Sequence, residues 1–372
     1  MTVLWTPEGS PEALIKLVHQ IETKPGNRGM MILSCNENPV EIHTFNDILT
    51  HIKCPVFGGV FPELVYGTSS YRQGFIVVGF SCEVKIGIAH AISDQASDYS
   101  DVVQSCASES SGTQFLFVDG TAQRIEEAIE QLFIQCGLNN RYIGGGAGVL
   151  GKIGVPCIIT NQGVLADAIV SANVMKKSGI GVGHGWIPIS PPLKITESHD
   201  FAIYSLNWEP SFQVYAEFLE KIEGVILTVD NFAEVSKSYP LGVVRLAEEM
   251  IVREFQGADG SSLSFVSKMP PNASVQILKG TVQTLVEGAQ RARENAVSAF
   301  VSSGGELSNS KTFVVDCISR ALYLKDQIDV ELDTFQGEGV LFGVLSLGEI
   351  ANGGNEFLEL FNKTAVVAIL EA

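Results

Sequence analysis

Apolar runs of strand length, rich in Val, Ile and Phe, recur from Gly29 to the last residues of this 372-residue chain. Few gaps between them exceed what a turn or one helix can fill, so the backbone must satisfy its hydrogen bonds largely between strands. The expected strands of the first half are Gly29–Ser34, Pro55–Gly58, Phe75–Phe80, Val84–Ala89, Gln114–Val118, Pro156–Thr160, Val164–Ala172, Gly179–His184, Leu193–Glu197 and Phe201–Leu206. In the second half they are Met250–Phe255, Leu263–Val266, Ser274–Leu278, Thr312–Asp316, Val340–Ser346 and Thr364–Leu370. Asn161-Gln162-Gly163 and Ser198-His199-Asp200 leave room only for hairpins, so much of the sheet is expected to be antiparallel.

Helical periodicity marks four segments, Pro11–Glu22, 121–135, 211–222 and 281–300. In 121–135, for example, Ile125, Ile129, Leu132 and Phe133 share one face opposite Glu126, Glu127 and Glu130. The fold class read from this pattern is α/β in the α+β sense, with mixed, largely antiparallel sheets layered with helices. Length and the mixed segment Asp230–Gly242 predict two domains, 1–205 and 206–372. No fixed-period repeat is visible in the sequence.

Composition narrows the function classes. With 42 acidic against 24 basic residues the net charge is −18, which repels a phosphate backbone and argues against a nucleic-acid partner. No window reaches the ~18 uninterrupted apolar residues of a spanning helix, so membrane insertion is not expected. The first residues lack a basic and apolar leader, and seven cysteines without a C-x-x-C pair give neither a disulfide framework nor a zinc knuckle. A cytoplasmic location is the expectation.

Several motifs point to chemistry. Gly146-Ala-Gly148-Val-Leu-Gly151 fits G-x-G-x-x-G, but Gly154-Val-Pro156 leads into a strand, not the helix whose N-terminus holds phosphate. None of the six histidines sits in a metal-hydrolase motif. His184, between Gly183 and Gly185 and next to Trp186, has space for a flat ligand such as haem, with His90 as the next candidate for an iron ligand. Cys317, beside an expected helix start and Arg320, has the setting of a nucleophile in a hydrolase or acyltransferase but needs a histidine base that the sequence does not assign. Arg320 lies just beyond the end of an apolar strand, where a guanidinium suits a carboxylate, while a salt bridge to Glu331 or Glu349 is the structural alternative.

In order along the first half of the chain, Tyr142-Ile-Gly-Gly-Gly146, the hairpin Pro156–Ala172, His184-Gly-Trp-Ile-Pro188, Lys194-Ile-Thr196 and Phe212-Gln-Val-Tyr215 resemble the FIST family, whose members have an N-terminal and a C-terminal domain. Tyr239-Pro-Leu-Gly242, Arg253, Asp259-Gly-Ser-Ser-Leu263, Cys317-Ile-Ser-Arg320, Gly348-Glu-Ile350 and Asn362-Lys-Thr364 resemble its C-terminal domain. The resemblance implies a stand-alone sensory protein that binds a small molecule, such as an amino acid or related metabolite, and regulates a partner histidine kinase or cyclic-di-GMP enzyme. It implies no catalytic activity, and by carry-over it places Cys317, Arg320, Glu349, Asn362 and Thr364 at the ligand site. One branch of the family is similar to haem-based nitric-oxide sensors, for which His184 would hold the iron. Phe57-Gly-Gly-Val-Phe-Pro-Glu63 departs from the family's Gly-rich turn, so beyond the haem alternative at His184 or His90 no ligand residue is assigned to the first half.

Overall fold

The computed structural model describes residues 1–106, 112–137, 140–245, 249–352 and 357–372. Helices and strands occur throughout, in four mixed or antiparallel sheets. The described residues form two compact units that interleave along the chain. One comprises Met1–Gly183, Ala289–Leu360 and Thr364–Ala372, and the other His184–Gly288 with Phe361–Lys363.

The first unit repeats one arrangement three times. Each of its sheets is built on a parallel strand pair joined by a helical crossover: Gly29–Cys35 with Val56–Phe61, Thr113–Asp119 with Arg141–Ala147, and Ser310–Cys317 with Leu341–Ser346. The crossovers contain the helices Ile42–His51, Ile125–Cys136, and Ile318–Leu324 with Ile328–Thr334. Beside the first strand of each pair lie two antiparallel strands: Phe75–Phe80 and Thr2–Thr6, Ala168–Val174 and Val84–His90, Ala365–Glu371 and Ser178–Gly183. Beside the second strand lie two more, and these are exchanged in a cycle. Glu63–Tyr66 follows the first pair in sequence but joins the third sheet, Ile158–Thr160 follows the second pair but joins the first sheet, and Glu349–Ala351 follows the third pair but joins the second sheet.

Close backbone approach explains two glycine-bearing strands. A Cβ on Gly144 would lie 1.7 Å from the Leu116 carbonyl oxygen, so Gly144-Gly145-Gly146 runs as a strand against Thr113–Asp119, and the motif that starts at Gly146 continues through turns to the strand Ile158–Thr160 rather than into a helix. A Cβ on Gly181 would meet the Ala292 carbonyl oxygen at 2.0 Å, which lets the helix Val282–Ser302 lie close to Ser178–Gly183.

The second unit is an antiparallel sheet centred on Ser274–Lys279, Leu193–His199 and Ala202–Leu206. Its core packs Tyr215 and Leu219 of the helix Ser211–Glu223 against Leu206, Phe232 and Phe265. Gly224 ends that helix in the left-handed conformation (φ 67°) that glycine adopts at low cost.

Some boundaries differ from the sequence reading. The run Val164–Ala172 is two strands in different sheets, because Asp167 turns the chain at φ 47° and its carboxylate accepts from Ser93. The helix expected from residue 121 begins at Ile125, since Asp119 captures the Thr121 N–H and hydroxyl in a turn. Met250–Phe255 is likewise split into Ile251–Arg253 and Phe255–Ala258. His184 lies one residue beyond its strand, and the strand Thr2–Thr6 precedes the first expected one.

Candidate functional site

The third sheet of the first unit ends in a cluster of buried charge. Ser310–Cys317 runs into the helix Ile318–Leu324, which places Asp316 and Arg320 four residues apart across the junction. Arg320 Nε lies 3.2 Å from Asp316 Oδ1 and donates to Glu331 Oε1 at 3.0 Å, while Nη2 donates to Glu331 Oε2. The guanidinium therefore forks onto Glu331 of the next helix, Ile328–Thr334, as a bidentate pair. All three side chains are fully buried.

Glu349 stands at the start of the strand Glu349–Ala351, also fully buried. Its Oε1 accepts from Ser346 Oγ at 2.9 Å, and its Oε2 from the Thr364 backbone N–H at 3.3 Å. The Cys317 side chain also hydrogen-bonds this carboxyl. Cys317 is buried, and its backbone N–H donates to Asp316 Oδ1 at 2.9 Å.

Two carboxyl groups, Asp316 and Glu331, lie against one guanidinium, and a third, Glu349, is buried beside Cys317. One cation does not offset the burial of every carboxyl group here, so Asp316 and Glu349 are driven toward their protonated forms. Burial pushes Glu349 up to about 8 against the opposing hydrogen bonds of Ser346, Thr364 and Cys317. Asp316 is held well above the ordinary carboxylate range by burial first and the Glu331 charge second. Burial opposes the charge on Arg320, but Glu331 and Asp316 outweigh it and hold the guanidinium above its usual value.

Of the residues singled out from sequence, Cys317, Arg320, Glu349 and Thr364 meet here. Asn362 belongs to the second unit, where its Oδ1 accepts from Ser267 Oγ at 3.0 Å. Asp316, Glu331 and Ser346 were not assigned to the site from sequence. The four-residue spacing of Asp316 and Arg320 was the available signal for the first.

His184, in the second unit, is 5% exposed. Its Nδ1 accepts the Trp186 backbone N–H at 2.9 Å, which puts the ring proton on Nε2, and Nε2 faces Glu249 Oε1 at 3.4 Å. A proximal haem ligand needs the Nε2 lone pair, so this ring, held in this tautomer, does not fit an iron ligand. His90 ends its strand exposed to solvent.

Comparison with known families gives two matches that together span most of the chain. The FIST N domain matches residues 31–209, and the FIST C domain residues 211–352. No curated protein matches the chain. Among the described residues no helix is long and apolar enough to cross a membrane.

Proposed function

Because the chain belongs to the FIST family of signal-transduction sensory domains, we propose that it is a non-enzymatic sensor with its ligand site at Cys317, Arg320, Glu349 and Thr364. In this reading it passes its liganded state to a partner histidine kinase or cyclic-di-GMP enzyme. The observation that carries the reading is the wholly buried excess of carboxyl groups over cations at the end of a parallel strand pair. Stability does not require such a cluster, since well-packed apolar side chains of similar volume are often as stable or more so. Strongly perturbed titratable groups gather preferentially at functional sites.

The cluster also favours a ligand class. A small amino acid or related metabolite offers a carboxylate to Arg320 and an ammonium to Glu349, which releases its proton to solvent as the ammonium binds. The ligand carboxylate reaches the guanidinium by displacing Glu331, so Glu331 acts as a built-in stand-in. Its release frees the helix Ile328–Thr334 from the strand end, giving two states for a partner to distinguish.

Thermal denaturation of the full chain across a panel of amino acids and small carboxylic acids tests this. A true ligand at ~100 times its dissociation constant adds about 2.7 kcal/mol. Glu349→Gln is expected to lose preference for amine-bearing ligands, and Arg320→Lys to weaken all carboxylates. A panel without any shift, or variants that bind as the unaltered chain does, would refute the site.

A further inference from the structure

The first sheet ends like the third, in a parallel strand pair that leads into a helix, but what lies there differs. A cavity of about 240 Å³ opens at the ends of Gly29–Cys35 and Val56–Phe61, and its walls include Cys35, Phe45, Val60, Val155, Pro156 and Val164. The crevice beyond the carboxyl ends of parallel strands is the common ligand position in α/β sheets. No carboxylate, ammonium or guanidinium is among its described lining residues. Burial pushes the Cys35 thiol up to about 12, so that group too stays neutral at ordinary pH.

The polar groups of the wall are unevenly satisfied. Asn38 Nδ2 donates to Ser34 Oγ and to the Gly74 carbonyl, its Oδ1 accepts the Gly74 N–H, and Ser34 Oγ donates to the Cys35 carbonyl. Asn36 Oδ1 is different: it is buried and has no hydrogen-bond partner among the described residues. A buried acceptor left unpaired costs about 1–3 kcal/mol, so such groups are uncommon unless a ligand or function accounts for them.

We propose that this cavity is a second small-molecule site, which takes a neutral, largely apolar molecule presenting one N–H or O–H donor to Asn36 Oδ1. The apolar walls supply affinity without a charge partner, and Asn36 supplies direction. The site is independent of Arg320 and uses none of the groups of the buried charged cluster.

The test uses the full chain with methyl-labelled valines, titrated with indole, 1-methylindole and indole-3-carboxylate as probes. Indole is expected to shift the Val60, Val155 and Val164 methyl signals saturably. 1-Methylindole, which has the same shape without the donor, is expected to bind roughly tenfold more weakly, as loss of one hydrogen bond predicts. The carboxylate is expected to bind worst. Asn36→Leu should bring indole down to the 1-methylindole level, and Val155→Phe, which fills the cavity mouth, should abolish both. Valine signals that stay still, or indole binding unchanged in Val155→Phe, overturns the site. Equal binding of indole and 1-methylindole, unaltered by Asn36→Leu, overturns the proposed chemistry. Should Val155→Phe fail to fold, Asn36→Leu with the two indoles still decides.

Discussion

Two strand ends of the same unit, built on the same topology, have opposite chemistry. At Cys317 and Ser346 the chain packs Asp316, Arg320, Glu331 and Glu349 together with no solvent exposure. At Cys35 and Phe61 it leaves an apolar cavity with one unpaired amide oxygen. The shared parallel pair and crossover helix build the same kind of strand end, and the residues just beyond the first strand decide its chemistry. Asp316 and Arg320 occupy the junction in one case, Asn36 and Asn38 in the other. Fold and side-chain chemistry are separable here within a single unit.

The largest expected effect breaks the charged end. Glu331→Ala leaves Arg320 buried without its bidentate partner and should cost about 3–5 kcal/mol in chemical denaturation. Replacing the group together, with Asp316→Leu, Arg320→Met and Glu331→Leu, should restore most of that stability while removing any ligand-induced shift. A triple variant as unstable as Glu331→Ala would mean that the cluster holds the fold together and is not kept for ligand binding.

Next in size is pH dependence. Glu349 has a folded-state value of about 8, above the 4.5 of an ordinary glutamate. The folded chain thus binds this proton more tightly than the unfolded chain. The contribution is fully present below about pH 4.5 and is lost as pH rises toward 8, at up to about 1.4 kcal/mol per pH unit. Denaturation midpoints should therefore fall across that window, and Glu349→Gln should flatten the fall. An identical slope in both proteins contradicts the assignment.

The smallest effect is expected at the neutral end. Asn36 Oδ1 makes no hydrogen bond among the described residues, so Asn36→Leu removes no bond through that atom and relieves an unpaired buried acceptor, and should leave stability unchanged or raise it by up to about 1–3 kcal/mol. A loss as large as that of Glu331→Ala would show that Asn36 holds the loop, and would erase the contrast between the two ends.

Sequence made part of this legible. The helix Pro11–Glu22 could be read because Leu14, Leu17, Val18 and Ile21 recur at helical spacing on the face it buries. The helix Ile42–His51 escaped notice because it buries only Phe45 and Leu49, too few to show a period. Gly144-Gly145-Gly146 has poor strand propensity and becomes a strand through the close approach of Leu116. The threefold arrangement is one of strand pairing rather than of residue pattern, so no period appears in the sequence. Partners such as Ser178–Gly183 and Ala365–Glu371, far apart along the chain, are beyond any local reading. At the site, Arg320 and Glu349 were legible through the resemblance. Glu331 was anticipated only as one of two alternative partners, because its helix had not been recognised.

Burial beside Cys317 is expected to keep a proton on Glu349 at neutral pH. Infrared difference spectroscopy between the unaltered chain and Glu349→Gln reads it most directly, through the carbonyl stretch of a protonated carboxylic acid. The account predicts a Glu349 band at pH 7 that disappears as pH rises through about 8. A Glu349 carboxyl already fully ionised at pH 6 would contradict it.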